Sequence, residues 1–293
     1  MPLNKQVHII AFDVPFPPDY GGVIDIYYKL KALYEEGIKI SLHCFEYGRG
    51  QKKELEKYCE KVFYYRRKSN KHLLFNSLPY IAASRSSEEL MNNLLKDDAP
   101  ILLEGLHCCF HLKDERIKSR KKIVRMHNIE HTYYANLALV EKNYFRRKYF
   151  EKEAKKLEKF EAVLKYADAI GAISPSDTKE LSLRYKNVSN VMAFHPHEII
   201  EIKDGKGDFA LYHGSLAIGE NNKDLHASPF TFAQVASKFG AGLWSSYSLL
   251  VAQSHITCGF GSTALPQAAS PLLRGTQEPT PAIFTTASQF SGA

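Results

Sequence analysis

The sequence predicts an α/β protein built on a Rossmann-like, doubly wound parallel sheet. Three observations predict it. The chain opens with a strand, a loop, a helix and a second strand. Short apolar runs then alternate with amphipathic stretches as far as residue 173. A hydrophobic fraction of 44% with 12% aromatics is enough to bury a core, unlike the composition of a disordered chain.

Residues 7–12 (VHIIAF) read as a buried first strand, because the run is short, apolar and ended by a Pro-rich loop. Pro15-Phe16-Pro17-Pro18-Asp19-Tyr20-Gly21-Gly22 supplies the turn. Over 23–36 the apolar residues Ile26, Leu30 and Leu33 recur at helical spacing, and Gly37 is a natural stop. Residues 38–45 give the second strand, completing the usual start of a parallel, doubly wound sheet. Further strands are expected at 62–65, 101–103, 123–126 and 169–173, with helical stretches at 52–60, 87–95 and 141–166. On the last of these, Phe145, Tyr149, Leu157, Phe160 and Leu164 form one apolar stripe. Glu151 and Lys155 there are spaced for an i,i+4 ion pair. Ser174-Pro175-Ser176-Asp177 reads as a strand end followed by a helix cap. Residues 204–208 (DGKGD) read as a linker, and 209–214 as a new strand. The expected organisation is a first domain over 1–205 and the opening of a second over 206–223.

This logic stops after Lys223. Of the 71 charged residues only Asp224, Lys238, Arg274 and Glu278 lie in the last 70 positions, where Ser, Thr and Ala make up 28. Short elements fit at 233–239 and 249–252, but Pro, Ser and Gly interrupt every longer pattern. Residues 224–293 are therefore expected to be an atypical, low-charge tail without a regular fold. An atypical domain and a shifted reading frame both account for it; composition and loss of period favour the second.

The net charge of +7 is compatible with an anionic ligand, a membrane surface or nucleic acid. Mixed charges on the long helix and the lack of a recognised motif argue against nucleic acid. Five cysteines with no C-x-x-C pair fit free thiols in a reducing compartment, here the cytoplasm. The only long stretch free of Lys, Arg, Asp and Glu, 239–273, is broken by Gly, Ser, Gln253, His255 and Pro266. It is not expected to span a membrane.

Two places could carry chemistry. In the Gly21-Gly22 loop, glycines let a backbone approach a ligand closely, and the helix that follows directs unpaired N–H groups at an anion. The G-x-G-x-x-G fingerprint is absent, and a tight turn without a ligand explains the loop as well. The second place is Arg125-Met126-His127-Asn128-Ile129-Glu130-His131, directly after a predicted strand, where ligands gather in open α/β sheets. It offers a cation, an imidazole, an amide and a carboxylate; a surface or helix-capping role remains open. Glu130 is misplaced for H-E-x-x-H and no third ligand is evident, so no metal is expected. His107-Cys108-Cys109-Phe110-His111 has soft ligands, but buried thiols beside ordinary histidines explain it equally well.

Taken in order, these pieces resemble the N-terminal half of GT-B glycosyltransferases, in the large retaining group that includes many bacterial polysaccharide enzymes. The resemblance runs through Pro17-Pro18-Asp19-Tyr20-Gly21-Gly22, Leu103-Glu104-Gly105 and the segment 125–131. It continues through Tyr166-Ala167-Asp168-Ala169-Ile170 and Leu211-Tyr212-His213-Gly214-Ser215-Leu216, covering about residues 5–223. It implies two Rossmann-like domains across a cleft, with the acceptor, a glycan or lipid-linked glycan, held mainly by the first. The nucleotide-sugar donor, a co-substrate, would be held mainly by the second, with no cofactor or bound metal. Gly21 and Gly22 would line the cleft near the donor phosphates, and His127 would hydrogen-bond the reacting sugar or acceptor. Arg125, Asn128 and Glu130 would shape that pocket or hold His127. Contact with the inner face of the membrane would follow from a lipid-linked acceptor. The chain departs from the family beyond Glu220: Glu278 is the only glutamate there, so the usual pair eight positions apart is absent. That points to weak or absent transferase activity, or to a non-catalytic Rossmann-like module binding a glycan or partner.

Overall fold

A computed structural model describes residues 5–197 and the backbone of three short strands beyond them. The chain divides into two compact units between His197 and Glu198. In the first, seven strands form one sheet: β1 (Gln6–Ala11), β2 (Lys39–Glu46), β3 (Lys61–Arg66), β4 (Ile101–Glu104), β5 (Lys122–Met126), β6 (Ala169–Ala172) and β7 (Val188–Asn190). The order is β3-β2-β1-β4-β5-β6-β7 and every pairing is parallel. The α/β, doubly wound expectation holds. Strand order reverses between β1 and β4, the place where such sheets open a crevice at their carboxyl ends. Ile9, Ile10, Ile40, Leu42 and Ile101 are wholly buried at the centre of the sheet, as continuous apolar strands covered on both faces should be.

Among the described residues six α-helices accompany the strands: α1 (Gly21–Glu35), α2 (Tyr80–Ala83), α3 (Glu88–Leu94), α4 (Glu130–Val140), α5 (Tyr144–Phe160) and α6 (Pro175–Ser182). The caps follow local chemistry. Ser87 accepts from the Leu90 amide, Asn143 from Phe145 and Arg146, and Ser174 from Asp177.

Several expectations need correction. The helix expected at 52–60 is only a 3-10 turn, Lys53–Lys57, with Leu55 its one buried residue; a single apolar contact cannot hold a longer helix. The stretch 141–166 is α5 followed by a 3-10 turn, Glu161–Tyr166. Leu157 and Leu164 of the predicted stripe are buried, Tyr149 and Phe160 are half-buried, and Phe145 projects into solvent. The rest of the buried face of α5 is Phe150, Glu153 and Lys156. Two charged residues can sit in that face because Lys156 Nζ donates to Glu153 at 2.7 Å, and Glu153 also accepts the Tyr80 amide at 2.6 Å. Glu151 pairs with Lys148 at 2.7 Å instead of Lys155.

Beyond residue 197, β8 (Phe209–His213), β9 (Phe232–Ala233) and β10 (Leu249–Gln253) form an antiparallel sheet in the order β8-β10-β9. β8 coincides with the strand expected at 209–214. The linker at 204–208 and the rest of the 224–293 tail lie outside the described residues. Cys44, Cys59, Cys108 and Cys109 are free and buried.

A polar ladder crosses β1, β2 and β3. Asp97 accepts from His8 Nε2 at 2.9 Å, which leaves His8 Nδ1 to accept from His43 Nε2 at 2.8 Å. His43 Nδ1 then accepts from the Tyr65 hydroxyl at 2.8 Å, and that oxygen accepts from Asn93 Nδ2 at 2.9 Å. The carboxylate at one end fixes every direction, provided both rings are neutral. Burial, and then the neighbouring His8, lower the His43 pKa to about 3. The unfolded chain takes up this proton below pH ~6.5, whereas the folded chain resists it down to about 3. This contribution to stability is therefore complete above pH ~6.5 and shrinks as pH falls. Urea unfolding should show wild type losing about 2 kcal/mol more than His43→Phe between pH 7 and pH 5.

Candidate functional site

The loop after β1 is fastened before it reaches α1. Asp13 accepts the Val14 amide at 2.8 Å and the Tyr20 hydroxyl at 3.0 Å. Arg49 donates to Asp19 at 2.9 Å and to the Pro17 carbonyl. The chain then enters α1 through Tyr20, which has extended backbone and makes no side-chain cap. Ile24 N–H bonds the Tyr20 carbonyl, so the amides of Gly21, Gly22 and Val23 precede the first intrahelical bond.

The two glycines differ in purpose. A Cβ on Gly22 would lie 2.6 Å from Phe12 Cζ, whereas one on Gly21 meets nothing within 4 Å. Gly22 therefore admits the Phe12 ring, and Gly21 faces open space. Phe12 in turn stands edge-on to the His127 ring, with centroids 5.5 Å apart and planes at 88°. The glycine loop and the histidine after β5 are thus joined through one aromatic side chain.

Beneath them lies a buried ion network. Lys29 Nζ donates to Asp25 at 3.0 Å and to Glu104 at 2.7 Å. Arg125 closes on Asp25 with Nε at 3.2 Å and Nη2 at 3.0 Å, and also donates to the carbonyls of Val191 and Met192. The Phe194 amide donates to Asp25 at 2.8 Å. His127 Nε2 bonds Glu104 Oε2 at 3.0 Å, while Nδ1 lies 4.0 Å from Asp25. Two carboxylates face two cations, so the charges of Asp25, Glu104, Lys29 and Arg125 balance. Burial alone would raise the Asp25 pKa, but Lys29, then Arg125 and His127, outweigh it and hold it down at about 2. For Glu104 too, burial is outweighed by Lys29 and His127, and its pKa is lowered.

The sequence-predicted residues separate here. Gly21, Gly22, Arg125 and His127 come together at the carboxyl ends of β1, β4 and β5. Arg125 is buried inside the network, so it supports the site from below. Asn128 is exposed and lies beside the Glu130 carboxyl, which stands apart from the network. Burial, and then Glu161, raise the Glu130 pKa to about 8. Its nearest imidazole is His107, whose Nδ1 is 3.7 Å away, buried and without a hydrogen-bond partner. Asp25, Lys29 and Glu104, which hold His127 and Arg125, were not singled out as site residues in the sequence. A signal for two of them exists: Asp25 and Lys29 are four apart and flank the apolar positions Ile26 and Leu30.

Among the described residues, Asp25, Glu104 and His127 place ligand atoms within 4.8 Å of one another, close enough to hold a metal ion. The Lys29 ammonium, bonded to both carboxylates, already supplies positive charge there. A divalent ion would have to displace it.

No protein-family profile matches the chain. An uncharacterized 44.6 kDa protein in the cps region of Klebsiella pneumoniae is 28% identical over 152 residues, covering 50% of this chain and 39% of that protein. Three plant structures are similar at low scores. UGT89C1 of Arabidopsis thaliana, complexed with UDP-L-rhamnose, has TM-score 0.41 and 14% identity, over 66% of this chain and 49% of that one. Apo UGT2 of Phytolacca americana has TM-score 0.43 and 14% identity, over 66% and 52%. UGT71G1 of Medicago truncatula, complexed with UDP-glucose, has TM-score 0.43 and 9% identity, over 68% and 55%. The chain thus spans two fifths of the curated relative and about half of each solved structure.

Removing one member of a buried ion network leaves its partners uncompensated. Lys29→Met should cost about 3–5 kcal/mol in urea unfolding. Gly22→Ala should displace the Phe12 ring and with it His127, detectable as a shift of the His127 imidazole resonances by NMR.

Proposed function

We propose that residues 1–205 are the acceptor-side domain of a GT-B glycosyltransferase of the retaining, bacterial polysaccharide type. The enzyme would transfer a sugar from a nucleotide-sugar donor to a glycan or lipid-linked acceptor at the cytoplasmic face of the membrane. The observation that carries this reading is His127, after β5, bonded to the buried Glu104 of β4 and packed through Phe12 on the glycine loop after β1. β1 and β4 are the two strands between which the order reverses. Origin of the Klebsiella pneumoniae relative in a cps region is in keeping with a polysaccharide product.

Sugar transfer builds positive character on the sugar carbon while a nucleoside diphosphate leaves. Catalysis depends on neutralising the departing charge and positioning the acceptor hydroxyl. The amides at the start of α1, around Gly21 and Gly22, face an anion with the positive end of a helix. Glu104 accepts only, so His127 donates to it from Nε2, which leaves Nδ1 as the ring atom that would meet a sugar hydroxyl. Arg125 holds Asp25 below the ring, and Asn128 and Glu130 shape the start of α4 beside it. Residues 224–293 offer Lys238 and Arg274 as their only permanent cations and Glu278 as their only glutamate. They are a poor donor half in composition, in keeping with a shifted frame after codon 223.

The chain as given should therefore bind UDP-glucose more weakly than about 1 mM, the edge of useful affinity. Sub-millimolar affinity by calorimetry would contradict this. Restoring a frame with two glutamates eight apart should give turnover, and His127→Ala in that protein should lower kcat/KM by at least about 100-fold. A second reading, a non-catalytic module binding a glycan or partner, is favoured by the absent glutamate pair; turnover by the restored protein would exclude it.

A further inference from the structure

The tip joining α4 to α5 is unusual for a water-facing surface. Leu139 is 74% exposed, Tyr144 56% and Phe145 82%, all within seven residues at one end of two packed helices. Phe75, 80% exposed, continues the same surface: it lies under Lys152, with the ammonium 5.7 Å from the ring. Lys152 is seven residues, or about two turns, along α5 from Phe145. Phe145 is no part of the protein's core.

Charge around the tip is one-sided. From Glu141 to Lys159 the side chains of Lys142, Arg146, Arg147, Lys148, Lys152, Lys155 and Lys159 are exposed, whereas of the acids only Glu158 is, with Glu141 and Glu151 half-buried. Two of those acids are already taken, Glu141 by Arg146 at 3.2 Å and Glu151 by Lys148 at 2.7 Å. Among the described residues Lys142, Arg147, Lys152 and Lys155 form no ion pair. Arg147 lies near the Tyr144 ring, 5.8 Å from its centroid, as does the paired Lys148 at 5.9 Å. Large apolar side chains ringed by long, flexible cations are the pattern of an interfacial membrane contact. The rings and Leu139 enter the headgroup and acyl boundary, and the cations reach back to lipid phosphates. A second copy of this surface would bring like charges together. A neutral partner would leave the cations unanswered.

We infer that the α4–α5 tip, with Phe75, docks the protein onto an anionic phospholipid bilayer. Membrane contact belongs to the transfer reading, but this surface is argued from its own side chains. The two are separable by experiment.

The full-length protein is sedimented with phosphatidylcholine vesicles with and without phosphatidylglycerol. Wild type should bind the anionic vesicles at least about 10-fold more tightly, and added salt should weaken that binding. Leu139→Ser with Phe145→Ser should reduce binding about 10-fold, and Lys142→Gln with Arg147→Gln should both weaken it and flatten the salt dependence. These positions are exposed, so circular dichroism should be unchanged. In a separate variant, Phe145→Trp should show a blue-shifted emission component on adding anionic vesicles. Absence of binding, equal binding to both vesicle types, or variants that bind like wild type would overturn the proposal. So would self-association that the same serine substitutions abolish. UDP-glucose affinity of the frame-restored protein should be indifferent to the surface variants, so failure of the docking surface and failure of the transfer reading give different results.

Discussion

The structure around the candidate site depends on one buried electrostatic constraint, the neutral set of Asp25, Lys29, Glu104 and Arg125. Each of these groups is costly to bury alone. Together they exchange short, charge-assisted hydrogen bonds that tie α1 to the ends of β4 and β5. Charge balance makes the arrangement tolerable, and geometry makes it directional. Lys29 cannot answer both carboxylates unless α1 sits at one height over the sheet. The Phe194 amide and the carbonyls of Val191 and Met192 draw the segment after β7 to the same point.

His127 inherits its orientation from this set. Glu104 holds Nε2, Phe12 covers the ring edge-on, and Gly22 leaves the space that Phe12 needs. A change at any of the three would move the imidazole without touching a ligand. The same logic divides roles along the 125–131 segment. Arg125 belongs to the foundation and His127 to the surface of the site, while Glu130 turns to a separate buried cluster with Glu161 and His107.

The outer side of the unit follows a different rule. α5 buries Phe150 and Leu157 with a salt-bridged Glu153–Lys156 pair, which leaves its first turn free of the core. Phe145 and Tyr144 are therefore displayed by the way the two helices meet. Their cationic neighbours suit an anionic surface better than water alone. The site and this surface lie on consecutive stretches of chain, since α4 begins three residues after His127.

Local pattern alone determined the class of this protein. The apolar strands, the helical spacing over α1 and the cap at Ser174 are readable because they depend on near neighbours. The glycine loop and the 125–131 cluster were legible for the same reason: each is a contiguous run placed beside a predicted strand. The failures share the opposite cause. α4 was not foreseen because its apolar residues do not gather on one face. The stripe on α5 was right only at Leu157 and Leu164 because Glu153 and Lys156 sit where apolar residues are expected. No pattern pairs Lys29 with Glu104 or Gly22 with Phe12. Such contacts join residues far apart in the chain, and their energies exist only once the sheet brings those residues together. Composition and periodicity determined what kind of layers would form; only the tertiary structure decided which charges meet between them, because a buried ion is stable only beside a partner that folding has already placed.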